Sequence, residues 1–229
     1  MSCGRPSPKI VTKLVIDVKG VWEHQRWQGR PRQKSSPMPQ PDFTTTNRFE
    51  SLSSPSAAKP NSVLVIGDSI VRNVDLGGKA VLSCNPRARV LDIGKIIPGI
   101  FRRHKDININ TVVIHAGVND MKNKQSEVLK THFSSLLNSI RTENAATRIV
   151  LSGPLPTFKR GSEIFSRLFA LHSWLKTCSA RGDFEYVNNW NSFWERPRLY
   201  RRAGLHPSRY GAALLTDQIR AVLDSKMEL

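Results

Sequence analysis

From Asn61 onward the chain alternates two kinds of segment, and this alternation restricts the possible folds more than any other feature. Short runs rich in β-branched residues recur at Val63-Leu64-Val65-Ile66, Arg89-Val90-Leu91-Asp92-Ile93, Thr111-Val112-Val113-Ile114-His115, Arg148-Ile149-Val150-Leu151 and Phe184-Glu185-Tyr186-Val187. Between them, Leu129, Phe133, Leu136, Leu137 and Ile140 recur at helical spacing, as do Ile164, Phe165, Leu168, Leu171, Trp174, Leu175 and Cys178. Ser126 and Ser162 are expected N-caps and Gly182 an expected helix stop. Strands that are apolar almost throughout must be buried on both faces, and amphipathic helices between them supply the cover. The pattern predicts an α/β fold: a three-layer α/β/α sandwich around a central, mostly parallel five-stranded sheet.

Residues 1–60 read differently. A β-prone run from Ile10 to Val18 gives way, past Trp22 and Trp27, to a stretch rich in Pro, Ser, Thr and Arg. Such a stretch buries too little apolar area to offset its ordering entropy, so 1–60 is expected to be a disordered extension of a domain spanning 61–229. The formal charge is +17, with ten Lys/Arg against four Asp/Glu in 1–60 and twenty-five against fourteen in 61–229. A charge of this sign favours RNA or another nucleic acid, or an anionic membrane surface, as partner, and bears on partners rather than fold. Its densest runs are Arg102-Arg103-His104-Lys105 and Arg196-Pro197-Arg198 with Arg201-Arg202.

Cys3, Cys84 and Cys178 lie far apart with no histidine at ligand spacing, which argues against a disulfide framework and against a metal site. Lys9, Lys13, Asp17 and Lys19 interrupt the N-terminal apolar stretch, and no run approaches the roughly 20 apolar residues of a membrane span. The expected location is therefore intracellular.

In a parallel sheet the segments just after each strand line the ligand crevice. Here they are Gly67-Asp68-Ser69-Ile70, Pro98-Gly99-Ile100, His115-Ala116-Gly117-Val118-Asn119-Asp120 and, near the C-terminus, Gly204-Leu205-His206-Pro207. A nucleophilic serine needs a base to take its proton and donors to hold the developing oxyanion. Ser69 can attack, His206 can act as base and then acid, and the N–H groups of Ser69 and Gly99 with the Asn119 amide can supply the donors. Gly153-Pro154-Leu155-Pro156-Thr157 follows the fourth strand at the same edge, so Pro154, Pro156 and Thr157 are candidates for shaping the substrate pocket. Asp68 is read as a turn or capping residue, Asp120 as the cap of the following helix, and His115 as structural. No metal or organic cofactor is called for.

These blocks make the chain similar to the SGNH (GDSL-type) hydrolases, in which Ser, Gly, Asn and His occur in this order with an Asp three residues before the His. The likeness covers essentially all of 61–229. It is nearest to the esterase-like domain in the first open-reading-frame protein of fish LINE-type retrotransposons, which Gly67-Asp68-Ser69-Ile70-Val71-Arg72, Gly153-Pro154-Leu155-Pro156-Thr157, Phe165-Ser166-Arg167-Leu168 and Gly204-Leu205-His206-Pro207-Ser208-Arg209 all resemble. The resemblance implies hydrolysis of an ester-containing small molecule or lipid through Ser69 and His206, with Gly99 and Asn119 in the oxyanion hole. Ala203 stands where the family has its acid. In Ser/His/Asp enzymes that loss lowers kcat by roughly 10⁴-fold, so weak or absent hydrolysis is expected, with binding of nucleic acid or anionic membrane as the alternative role.

Overall fold

The computed structural model describes residues 14–16, 22–24, 61–78, 80–158 and 161–225. The chain divides into two units, Met1–Ser53 and Ser54–Leu229. In the first, β1 (Leu14–Ile16) pairs antiparallel with β2 (Trp22–His24), and β1 falls inside the β-prone run. The disorder expected of the rest of 1–60 lies outside the described residues.

The second unit is built from β3 (Asn61–Gly67), β4 (Ala80–Cys84), α1 (Val90–Arg103), β5 (Asn108–His115), α2 (Ser126–Glu143), β6 (Arg148–Ser152), α3 (Ser162–Ser179), β7 (Glu185–Val187), α4 (Trp190–Phe193) and α5 (Arg209–Asp224). Its strands form one five-stranded sheet in the order β4-β3-β5-β6-β7, every pairing parallel. The chain leaves β3 toward β4 on one side and returns to β5 on the other. The ladder order therefore reverses between β3 and β5, the place where parallel sheets open a crevice beyond their carboxyl ends.

Strand alternation distributes the core between two faces. Leu64, Ile66, Val112, Ile114, Ile149 and Leu151 face one way and pack with Ile93 and Ile97 of α1, Phe133 and Leu136 of α2, and Leu168 and Leu175 of α3. Val65, Val113, Val150 and Val187 face the other way, against Ile70, Val71, Leu199, Leu215 and Ile219. This is the three-layer sandwich the pattern predicts. At one edge, Arg148 grips Glu185 through Nε and Nη2 at 2.9 and 2.7 Å and also donates to the carbonyls of Val222 and Leu223, so a single guanidinium ties β6 to β7 and to the end of α5.

The second predicted strand is a helix. Residues 89–93 open α1, where Arg89 is the N-cap and its N–H donates to Asp92 Oδ2 at 3.0 Å. Val90, Ile93, Ile97 and Ile100 then form one buried stripe at helical spacing that runs on through Pro98. The second strand is β4, a short edge strand with Leu82 exposed, whose Ala-Val-Leu-Ser-Cys carries little strand signal. Ser126 and Ser162 are the first residues of their helices rather than the caps, which are Gln125 and Gly161. Among the described residues no helix is long and apolar enough to cross a membrane.

Candidate active site

Close packing of two strands fixes the start of the site. Gly67 ends β3 opposite His115, and a Cβ there would meet the His115 carbonyl oxygen at 2.5 Å, so only glycine fits. The chain then turns into a 3₁₀ segment, Ser69–Asn73, whose N-cap is Asp68. Asp68 is fully buried; its Oδ1 accepts from Ile70 N–H at 2.8 Å and its Oδ2 from Asn119 Nδ2 at 3.1 Å. Burial pushes its carboxyl up to about 6, the Ile70 N–H opposing and the nearby Asp120 adding to the rise. Asp68 thus caps the turn that presents Ser69, the structural part expected of it.

His206 arrives on a tight hairpin. Tyr200 bridges Pro207, Arg201 N–H donates to the His206 carbonyl at 2.8 Å, and Gly204 N–H donates to the Arg201 carbonyl at 2.8 Å. Gly204 has φ +69°, and a Cβ on it would collide with the Phe158 carbonyl, whose own N–H donates to the Gly204 carbonyl. Below the hairpin, Ser208 caps α5 by accepting from Gly211 N–H at 3.2 Å. The result is that Ser69 Oγ and His206 Nε2 lie 2.8 Å apart, both half-buried. Ala203 is exposed on the same turn.

Asn119 lies in the 3₁₀ segment Val118–Asn123 that follows β5. Its Nδ2 donates to Asp68 Oδ2 and, at 3.0 Å, to the Ala88 carbonyl, so both amide hydrogens are held within the protein. Asp120 accepts from Val90 N–H at 3.2 Å, so the helix it caps is α1 and not the one that follows it. Burial raises its carboxyl above the ordinary range as well.

Gly99 is not at this rim. It lies within α1, where a backbone N–H belongs to the helix ladder, and its carbonyl accepts from Arg103 Nε at 3.3 Å. Its expected place followed from taking 89–93 for a strand. The segment that does follow the second strand is Asn85–Arg89. Asn85 N–H donates to the Gly67 carbonyl at 2.8 Å and Ala88 N–H to the Asn85 carbonyl at 3.0 Å, turning the chain at Arg87. Arg87 has φ +67°, a left-handed conformation unusual for a residue with a Cβ. The N–H groups of Ser69 and Arg87 have no acceptor among the described residues.

His115 is buried behind the site, its Nδ1 3.0 Å from Ser152 Oγ, which also accepts from Asn189 Nδ2 at 2.9 Å. Burial lowers this imidazole to about 4, which keeps it neutral. Its place is structural, as the sequence suggests.

The Ser69–His206 pair opens into a pocket of about 100 Å³ that Ile70, Arg72, Asn73, Arg201 and Pro207 complete. Pro154 is buried, while Pro156 and Thr157 line a different and larger pocket of about 520 Å³ with Phe158, Phe165, Trp194 and Tyr200. The hairpin that carries His206 stands between the two, since Tyr200 lines one and its bridge partner Pro207 the other. Sequence reasoning passed over Arg72 and Asn73, although Arg72 follows Ser69 by one 3₁₀ turn. Among the described residues no group of three or more His, Cys, Asp or Glu side chains is placed to hold a metal, and Cys84 and Cys178 are free thiols.

Residues 65–214 match the model of the GDSL-like lipase/acylhydrolase family. Among solved structures, the chain is 49% identical to the esterase domain of the ZfL2-1 ORF1 protein from the zebrafish ZfL2-1 retrotransposon, over 71% of this chain and 98% of that one, with a TM-score of 0.43. A member of the lipolytic protein G-D-S-L family from Veillonella parvula is 12% identical over 71% of this chain and 97% of its own, at a TM-score of 0.59. A lipase/acylhydrolase from Enterococcus faecalis is 17% identical over 73% and 97%, also at 0.59; these two share the fold. No curated protein matches the chain.

Proposed function

The chain belongs to the GDSL-like lipase/acylhydrolase family, and from that premise we propose that it is a carboxylic ester hydrolase working through Ser69 and His206. The observation that carries this reading is the 2.8 Å approach of Ser69 Oγ to His206 Nε2, within reach for direct proton transfer. The 49% identical zebrafish relative, an esterase domain, supports it.

Ser69 Oγ attacks the acyl carbon as its proton passes to His206 Nε2, and the carbonyl oxygen becomes an oxyanion. His206 then returns the proton to the leaving alcohol, and an acyl-Ser69 intermediate is left. Water, deprotonated in turn by His206, releases the acid. The donors we assign to the oxyanion are Ser69 N–H, the Asn119 amide and, in place of Gly99, the N–H of Arg87. Asn119 takes part by exchanging the Ala88 carbonyl for the oxyanion while it keeps its bond to Asp68.

Ala203 gives the imidazolium no carboxylate, so turnover is slow, roughly 10⁴-fold below that of a complete triad. The same substitution favours a second reading, a hydrolase scaffold kept for binding RNA or an anionic membrane through its basic surface. One assay separates the two: hydrolysis of phenyl acetate by the native chain and by Ser69→Ala. Loss of about 10²-fold in the variant is expected, less than that of a full triad knockout because the native rate is already reduced. Equal rates in the two proteins would refute the Ser69 mechanism.

A further inference from the structure

Each member of the Ser–His pair is delivered to the site together with a guanidinium. Side chains three apart in a 3₁₀ segment are eclipsed, so Ser69 and Arg72 share one side of the Ser69–Asn73 turn. Across the pocket, Arg201 is paired to His206 through the backbone, and its Nε donates to the Pro207 carbonyl at 3.3 Å, which fixes the plane of its guanidinium. Both arginines line the 100 Å³ pocket with Ser69 and His206, and no carboxylate is among its lining residues.

Asn73 and Arg201 also line the adjoining pocket, where Arg209 adds a third guanidinium. The two aspartates of that pocket are engaged elsewhere: Asp75 Oδ1 accepts from Gly77 N–H at 2.9 Å and Asp217 pairs with Arg220. Among the described residues Arg72, Arg201 and Arg209 pair with no carboxylate. Arginines on a protein surface ordinarily sit among mixed charges. Here two of them line a small polar pocket together with Ser69 and His206, and no carboxylate lines it.

We propose that Arg72 and Arg201 form an anion subsite, so that the ester cleaved at Ser69 carries a phosphate, sulfonate or carboxylate close to its scissile bond. This rests on the hydrolase reading and names the substrate class for it. A guanidinium fork matches such oxyanions with paired charge-assisted hydrogen bonds. The cationic rim also concentrates anionic esters at the mouth of the site. A neutral ester uses neither effect.

The test compares two soluble esters on the full chain, para-acetoxybenzenesulfonate and phenyl acetate, each rate divided by the ester's own hydroxide-catalysed rate. The normalised kcat/KM is expected to favour the sulfonate by at least about tenfold, and Arg72→Gln or Arg201→Gln to cut that preference by about tenfold, mainly through KM. Calorimetric binding of the sulfonate ester to Ser69→Ala, lost when Arg72→Gln is added, reads the subsite without turnover. If both esters are hydrolysed with one ratio in all variants, the anion subsite is wrong and the hydrolase reading stands. If Ser69→Ala binds the sulfonate through Arg72 while the native chain cleaves neither ester, the subsite stands and the hydrolase reading falls. Turnover of dissolved dibutyrylglycerol phosphate assigns the anion to a soluble ester. Turnover only of dioleoylglycerol phosphate in vesicles assigns it to a lipid headgroup, and either supports the subsite.

Discussion

Asn119 Nδ2 donates to Asp68 Oδ2 at 3.1 Å, which joins the turn after β5 to the turn that presents Ser69. Asn119 can aim an N–H at a substrate only while the carboxylate holds the amide in this orientation. Replacing Asp68 by Asn sets one amide donor against another at that contact. Asp68→Asn is expected to lower kcat by about tenfold or more with a smaller change in KM, because the donor matters most when charge develops on the carbonyl oxygen. Steady-state kinetics on a short-chain ester checks this, and a change confined to KM would contradict it.

Burial gives Asp68 and His115 opposite effects on stability over one pH range. With its carboxyl at about 6 against an ordinary 3.8, folded Asp68 holds a proton that the unfolded chain has already released, so its contribution to stability falls as pH rises between these values. His115, at about 4 against 6.5, refuses a proton that the unfolded chain takes up, so its contribution is lost as pH falls from 6.5 to 4. Each shift corresponds to about 3 kcal/mol at most, and in the overlap the two largely cancel. The urea midpoint of Asp68→Asn should climb more steeply with pH between 4 and 6 than that of the native protein. Parallel profiles would show that Asp68 does not titrate there.

Arg87 holds φ +67° at the turn after β4. A left-handed residue with a Cβ costs roughly 1–2 kcal/mol, and glycine removes that strain while adding about 0.5–1 kcal/mol of backbone entropy to the unfolded chain. Arg87→Gly is therefore expected to stabilise the protein by up to about 1 kcal/mol, read as a higher urea midpoint at constant slope. A lower midpoint would mean that the arginine side chain contributes more than the strain takes away.

The Arg148–Glu185 pair is bidentate and half-buried, and the same guanidinium reaches two carbonyls at the end of α5. Lysine keeps the charge but not the fork, and its single nitrogen does not span the acceptors that three guanidinium nitrogens reach. Arg148→Lys should lower stability by about 1–3 kcal/mol, measurable as a drop of several degrees in the thermal midpoint.

Where the sequence and the fold agree, the reason is periodicity. Leu64/Ile66 against Val65, and Val112/Ile114 against Val113, are buried on both faces, and such runs read as central strands with little ambiguity. The second strand is not legible because five residues, Arg89 to Ile93, are too few to separate a β-branched run from the first turn of a helix. Extending the window to Ile97 and Ile100, and noting Asp92 three residues after Arg89, separates them. Pro98 hid the continuation of the stripe. With 89–93 as the start of a helix, Gly99 falls inside that helix and not just after a strand. The local motifs around Ser69 and His206 are legible in the sequence and the fold brings them together, whereas Arg72 and Arg201 beside them are not legible as pocket residues, since which charges converge on a pocket depends on the hairpin geometry and not on spacing in the chain.

Ala203 lies three residues before His206 on the turn that Gly204 closes, at a position open to solvent. A carboxylate there adds a negative charge to stabilise the imidazolium formed when Ser69 loses its proton. It also sits beside Arg201 and Arg202, whose positive charge favours its ionised form. Ala203→Asp is therefore expected to raise kcat on phenyl acetate, by up to about 10⁴-fold if the rest of the site is sound, with KM little changed because the ground state gains no contact with the substrate. The gain should vanish in the Ser69→Ala background. A double variant as active as Ala203→Asp alone would show that the new carboxylate works by itself and that the 2.8 Å contact between Ser69 and His206 has no part in turnover.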